Sequence, residues 1–333
     1  MSPITVRGIG ILGGFGTGIG PWAQALSLGR VCPSTFTVST GKGPVELPAL
    51  RADTSALEER VPARVLRRMD PFTRLGLLGA HLALEDAGLE ASEREGLGLV
   101  VASGYGATAT TYALLDSIIR DGDDCASPIH FANSLHNACA ANIALNLGIR
   151  GPNLTVSQFD LSVSSALLTA RQWLLEGRAG RVLFGAVDEL SELTGYLWWR
   201  RTPEGAAALV PGEGAAFFLL SRVDEERPSY CTLERVTLGL GAAGEPPPGS
   251  LLVADRSGAR GACWAQLRGS TPAGPAFDLA AAALMLKTGR RFPSTSPCPV
   301  PAGPLEADRI ACLTETEGGF GWVEMGSAVP SKR

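Results

Sequence analysis

Short apolar runs of strand length alternate along this chain with helix-period segments that stop at glycine. That alternation limits its fold more than any other feature. ITVRGIGILGG (4–14), GLGLVVASGYG (96–106), RVLFGAVDE (181–189) and EGAAFFLLSRV (213–223) read as strands rich in β-branched and apolar residues. GPWAQALSLGR (20–30), VLRRMDPFTRLGLLGAHLALEDAGL (65–89), TTYALLDSIIRDG (110–122) and NACAANIALNLG (137–148) read as helices, each with a glycine at its C-terminal end. Residues 30–60 read as irregular apart from the strand-like TFTVST (35–40). After about residue 227 the pattern resumes with CTLERVTLGLG, SLLVAD, the helical PAFDLAAAALMLKTG, and then DRIACLTE and GFGWVEM. AAGEPPPGS (242–250) reads as a loop or hinge between them. Strands alternating with helices predict a parallel or mixed sheet covered on both faces. The resumption predicts two related α/β halves, the second much the shorter.

Charge and cysteine usage narrow the function classes. The net charge is −4 with no long basic run, which argues against nucleic acid or an anionic membrane as partner. Seven cysteines stand singly at 32, 125, 139, 231, 263, 298 and 312, with no CxxC and no metal-ligand spacing. An odd, scattered set fits a reduced, cytoplasmic chain better than a disulfide framework. No cleavable leader and no bilayer-length apolar run is legible, so no membrane insertion is expected. The three histidines are His81, His130 and His136, and none follows residue 136.

TVSQFDLSVSSAL (155–167) carries the sharpest question. Leu154, Val156 and Phe159 read as a buried strand, and from Leu161 the apolar spacing becomes helical. Asp160 sits at the turn between them, where a helix N-terminus stabilises negative charge and enzymes often place a nucleophile. The plain reading is a helix cap for the segment starting at Leu161. Asp188, Glu189 and Glu213 are further carboxylates near strand ends, where sites in α/β folds gather, and a carboxylate pair is also compatible with acid–base work. GIGILG (8–13) matches GxGxxG literally, but the first acidic residue is Glu46, too late for a ribose partner, and the glycines fall inside a strand. They read as allowing close packing, and no cofactor or metal is expected. Ser162 lacks a GxSxG elbow and has no later histidine, which argues against a serine hydrolase. His136 in NSLHNAC reads as a satisfied structural histidine, and LWWRR (197–201) as a stacking or interface patch or a core edge.

Taken together, these stretches resemble a β-ketoacyl synthase of the thiolase-like superfamily. VRGIGILGGFGTGI, RRMDPFTRLGLLGAHLALEDAGL, VVASGYG, FANSLHNACAANIALNLGIRGPNLTVS, VLFGAVDE and VPGEGAAFFLL follow that family's order over roughly residues 4–222. The resemblance implies a layered α/β/α/β/α thiolase-like fold of two related halves: a ketosynthase-like half, 1–227, and a reduced half, 228–333. It also implies a catalytic cysteine and two histidines. The cysteine position carries Asp160. VADRSGA puts Asp255 at the first histidine, and GSTPAGPAFDLAAAALMLKTG puts Ser270 at the second.

Condensation needs a thiolate to hold the acyl group and imidazoles to assist decarboxylation and stabilise the enolate. A carboxylate at the elbow is a poor acyl carrier, and the missing histidines remove the rest. The resemblance therefore implies a non-catalytic subunit similar to the chain-length factor of type II polyketide ketosynthases, in its short form most like those of aryl-polyene-type systems. Such a subunit pairs as a heterodimer with an active β-ketoacyl synthase and helps shape the pocket for the acyl or polyene chain on acyl carrier protein. On this reading PNLTVSQ (152–158) lies at the dimer interface, and Val156, Gln158, Phe159, Asp160 and His136 are interface or pocket residues. Two alternatives stay open: an acyl-thioester enzyme using Asp160 and Asp188, and a stand-alone acyl-binding homodimer.

Overall fold

The structure is a computed structural model that describes residues 3–202, 209–222, 228–254, 261–294 and 300–328. Its centre is a mixed sheet. In chain order the main strands are β1 (Ile4–Gly13), β2 (Gly98–Ala102), β3 (Asn153–Val156), β4 (Arg181–Asp188) and β5 (Gly214–Ser221). They continue with β6 (Cys231–Leu240), β7 (Ser250–Ala254), β8 (Arg309–Glu315) and β9 (Gly319–Gly326). The spatial order is β7-β8-β9-β6-β1-β5-β4-β2-β3, with the two-residue strand Gly16–Thr17 added beside β1.

That order contains one topology twice. In the first half β1 runs antiparallel to β5, β5 antiparallel to β4, β4 parallel to β2, and β2 parallel to β3. In the second half β6 is antiparallel to β9, β9 antiparallel to β8, and β8 parallel to β7. The second set stops one strand short, because no described strand matches β3. Ile4, Thr5 and Val6 of β1 pair with Leu233, Thr232 and Cys231 of β6, which joins the half-sheets edge to edge.

Helices fill the layers according to where their apolar residues fall. We label α1 (Pro71–Asp86), α2 (Thr108–Asp121), α3 (Ala138–Leu147), α4 (Ser162–Glu176), α5 (Glu192–Arg201) and α6 (Gly274–Thr288). α4 and α6 share the largest apolar cluster with residues of both half-sheets, including Ile9, Phe184, Phe218, Cys312 and Val323. Every residue of α6 from Gly274 to Leu286 is buried, which explains why this helix is apolar around its whole circumference. Its Asp278 pairs with buried Arg268 at 3.0 Å. α1 and α3 cover the other face of the first half-sheet. On the outer face of the second, the cluster of Ala311, Leu313, Trp322, Leu252 and Phe320 is completed by Ala243 of the 241–249 loop rather than by a described helix. Among the described residues the second half is thus shorter in strands and in cover.

Three expectations change. The 65–89 segment is not one helix: a four-residue turn, Ala63–Leu66, precedes α1, and the chain breaks at Asp70. Asp70 caps α1 by accepting the Thr73 N–H at 2.8 Å, with Pro71 at the first helical position, where its missing N–H costs nothing. Residues 30–60 hold a full hairpin, Ser34–Thr40 with Gly43–Ala49, not one isolated strand. The 154–159 segment is not a buried strand. β3 stops at Val156 on the sheet edge, and Phe159 is 68% exposed. The glycines of β1 do serve close packing, since a Cβ on Gly10 would lie 2.1 Å from the Gly79 carbonyl oxygen of α1.

Candidate functional site

The C-terminal ends of β2, β3 and β4 converge, as sites in open α/β sheets do. Asp188, the last residue of β4, is fully buried. Its carboxylate accepts hydrogen bonds from the Ser103 hydroxyl at 2.8 Å and from the N–H groups of Gly104 and Tyr105 at 3.0 Å. Burial pushes its pKa up to about 6 against the pull of those donors. Asp188 thereby fixes the loop after β2 as a scaffold. The turn of Ser270–Pro272 leans on that loop so closely that a Cβ on Gly104 would meet Pro272 at 2.2 Å.

The Asp160 elbow is built differently from the expectation. Phe159–Leu161 form a single 3-10 turn, and α4 starts at Ser162, so that Leu161 rather than Asp160 holds its N-cap position. The Ser162 hydroxyl organises the turn instead. It accepts the Gln158 N–H at 2.7 Å and lies 2.6 Å from the Phe159 carbonyl oxygen. Phe159 takes a φ of 46°, the sole left-handed non-glycine among the described residues. Strain of this kind persists where surrounding structure holds it and gathers at functional sites.

Asp160, Phe159, His136 and Ser270 line one cavity of about 790 Å³. The sequence-selected residues at 136, 159, 160 and 270 are therefore brought together. Val156 is half-buried against the central cluster and does not line the cavity. Gln158 is exposed and accepts a short hydrogen bond from the Ser165 hydroxyl. Asp188 also stays outside the wall. Asp255 lies outside the described residues.

Apart from Glu189, the opposite wall was not legible as a site. It comes from α5, whose Leu193, Leu197 and Trp198 face the cavity together with Glu189 and Leu190 just before it. Ser191 caps α5 by accepting the Thr194 N–H, while the Ser191 N–H donates to the Thr194 hydroxyl at 2.9 Å. S-E-L-T just before an apolar run was the available signal. LWWRR is the end of this helix; Trp198 donates its indole N–H to the Leu209 carbonyl at 2.8 Å.

Glu189 is the second buried carboxyl. Its Oε1 accepts from the Ala109 N–H at 2.7 Å and from the Thr108 hydroxyl at 3.2 Å. Burial first, and then the nearby charge of Asp70, pushes its pKa up to about 7. Glu213 holds the other side, accepting from the Leu190 N–H at 3.0 Å and pairing with Arg51 at 3.2 Å. Among the described residues no group of three His, Cys, Asp or Glu could hold a metal ion. Nor is any described helix long and apolar enough to cross a membrane. The cavity thus combines an apolar lining with a few polar groups, which suits an amphiphilic ligand.

Comparison with known proteins agrees with this architecture. Residues 1–226 match the family model of the β-ketoacyl synthase N-terminal domain. The chain is similar to a putative polyketide β-ketoacyl synthase 2 of Streptomyces virginiae, 29% identical over 275 residues, covering 79% of this chain and 62% of that protein. It is similar to 3-oxoacyl-[acyl-carrier-protein] synthase 2 of Vibrio cholerae serotype O1, 28% identical over 170 residues, covering 50% of this chain and 38% of that one. The chain thus spans less than two thirds of the length of these curated relatives. Among solved structures, the ishigamide ketosynthase/chain length factor superposes with a TM-score of 0.80 at 16% identity, over 98% of this chain and 100% of that chain. The layered α/β core is the thiolase-like fold of those structures, and with the family model matched across residues 1–226 of 333, the chain belongs to the β-ketoacyl synthase family.

Proposed function

We propose that this chain is a non-catalytic, chain-length-factor-like subunit that pairs with an active β-ketoacyl synthase and shapes the pocket for an acyl or polyene chain carried on acyl carrier protein. The observation that carries this reading is Asp160 on the wall of the cavity, at the elbow where the family's chemistry calls for a thiolate. Ser270 lines the same cavity, and no histidine follows His136. The name of the ishigamide ketosynthase/chain length factor supports the pairing half of the reading.

Surface chemistry supports a heterodimer. β3 leaves its outer edge unpaired among the described residues, and a bare edge is a template for another chain. Large apolar side chains stand out along neighbouring elements: Tyr112, Leu115 and Ile119 on one stripe of α2, Leu145 on α3 and Leu154 on β3, with Ile119 82% exposed and Leu145 81%. α2 packs on the Pro128–Asn133 helix, that helix on α3, and α3 on β3. Exposed apolar residues at this density mark a subunit contact. The same reading divides the chain at 227/228, makes the protein cytoplasmic, and favours an aryl-polyene-type pathway for the shortened second half.

The alternative acyl-thioester enzyme using Asp160 and Asp188 is weakened because Asp188 spends its oxygens on Ser103, Gly104 and Tyr105. Co-expression with a candidate active ketosynthase, followed by sizing of the purified material, tests the proposal. A one-to-one complex is expected. A soluble monomer or homodimer that ignores every ketosynthase encoded nearby contradicts it.

A further inference from the structure

Glu189 is the cavity side chain for which pairing and pocket shape give no reason. It is 5% exposed, and its Oε1 is engaged by Ala109 and Thr108. Oε2 takes no hydrogen-bond partner among the described residues, although Glu189 lines the cavity. One oxygen of a nearly buried carboxyl is therefore left on a wall where Leu190, Leu193, Leu197 and Trp198 stand with the polar Thr194, Arg201 and Thr202. A plain alkyl chain laid against that wall buries its apolar surface but strips the carboxyl of water, with nothing offered in return. A chain with an oxygen at the right carbon keeps the apolar contact and satisfies Oε2.

We infer that Glu189 is a specificity-determining residue and that the cavity takes an acyl chain bearing a hydroxyl group, which pairs with Oε2, in preference to a fully reduced chain. The inference rests on the reading of the cavity as an acyl-chain pocket. A hydroxyl is the substituent that suits this carboxyl in both of its states, accepting from the acid and donating to the carboxylate. With the pKa raised to about 7, both states are populated near neutrality. A keto group pairs only with the acid, and an alkyl carbon with neither. Sites built to hydrogen-bond a substrate hydroxyl reject the analogue that lacks it, because their own polar group is then left unpaired.

The test uses the full chain with octanoyl-pantetheine and its monohydroxylated isomers as probes, binding measured by calorimetry. At least one hydroxylated isomer is expected to bind about tenfold or more tighter than octanoyl-pantetheine. Glu189→Gln, which still offers a donor and an acceptor, keeps that preference within about threefold. Glu189→Leu abolishes it and binds the octanoyl chain at least as well as the native protein does. If every isomer binds no tighter than the octanoyl chain, or the preference survives in Glu189→Leu, the role of Glu189 is overturned and the acyl pocket stands. If no thioester binds the folded native chain, the acyl reading itself fails. The comparison of isomers on the native chain decides the matter even if the leucine variant does not fold.

Discussion

The backbone N–H of Ala109 donates a 2.7 Å hydrogen bond to Oε1 of Glu189, tying the first turn of α2 to the end of β4. A helix N-terminus favours the charged carboxylate, yet burial and neighbouring acids win, and the pKa rises to about 7 from an ordinary 4.5. The folded state therefore binds this proton more tightly than the unfolded chain does. The resulting stability is fully present below the unfolded pKa and is lost as pH rises through about 7. Glu189→Gln keeps an acceptor for Ala109 and removes the titration. Its unfolding free energy should gain on that of the native protein between about pH 5 and about pH 8, by on the order of 1–3 kcal/mol. A gap that stays constant across that range contradicts the assignment.

Asp188 is a structural carboxylate in this account. Asp188→Ala leaves the buried Ser103 hydroxyl and Gly104 N–H, and the half-buried Tyr105 N–H, without this acceptor. The expected loss is on the order of 3 kcal/mol in chemical denaturation. A loss under about 1 kcal/mol means that the loop after β2 is held by something else.

Leu161, not Asp160, holds the N-cap position of α4, so Asp160→Ala should cost less than the roughly 1 kcal/mol of a lost N-cap. Ser162→Ala, which removes the hydroxyl holding Gln158 and facing Ser103, should cost more than Asp160→Ala. Asp160→Cys should give no condensation, since a thiol without imidazole partners lacks the decarboxylation and oxyanion groups. Thermal melts and product analysis of the three variants check both statements.

Leu154 is 40% exposed on the open edge strand, whereas Val156 packs inward on the central cluster. Leu154→Asp should therefore leave the chain folded by circular dichroism while abolishing co-purification with a ketosynthase partner. Retained pairing means that the β3 edge is not the contact.

Most of the sheet was legible because its strands are buried on both faces and read as continuous apolar runs, as in VLFGAV and AAFFLL. The glycine stops fell where expected; Gly29, Gly88 and Gly148 all adopt left-handed backbone after their helices. The break at Asp70 was hidden because the apolar period runs through it, although Asp-Pro is itself a helix-start signal. The elbow misled for a related reason. Asp160 has the composition of a cap, but a 3-10 turn intervenes, so Ser162 stands where its hydroxyl reaches the Gln158 N–H. The α5 wall was missed because a helix whose Leu193, Leu197 and Trp198 face a cavity looks in sequence like one facing a core. Asp160 and Ser270, 110 positions apart in sequence, line one cavity.

The central claim is that this chain shapes an acyl pocket without carrying the acyl group. Intact-mass analysis of the co-purified pair after incubation with an acyl-carrier or acyl-CoA thioester tests it most directly. The account predicts one acyl adduct on the ketosynthase partner and none on this chain. A stoichiometric adduct on this chain contradicts it.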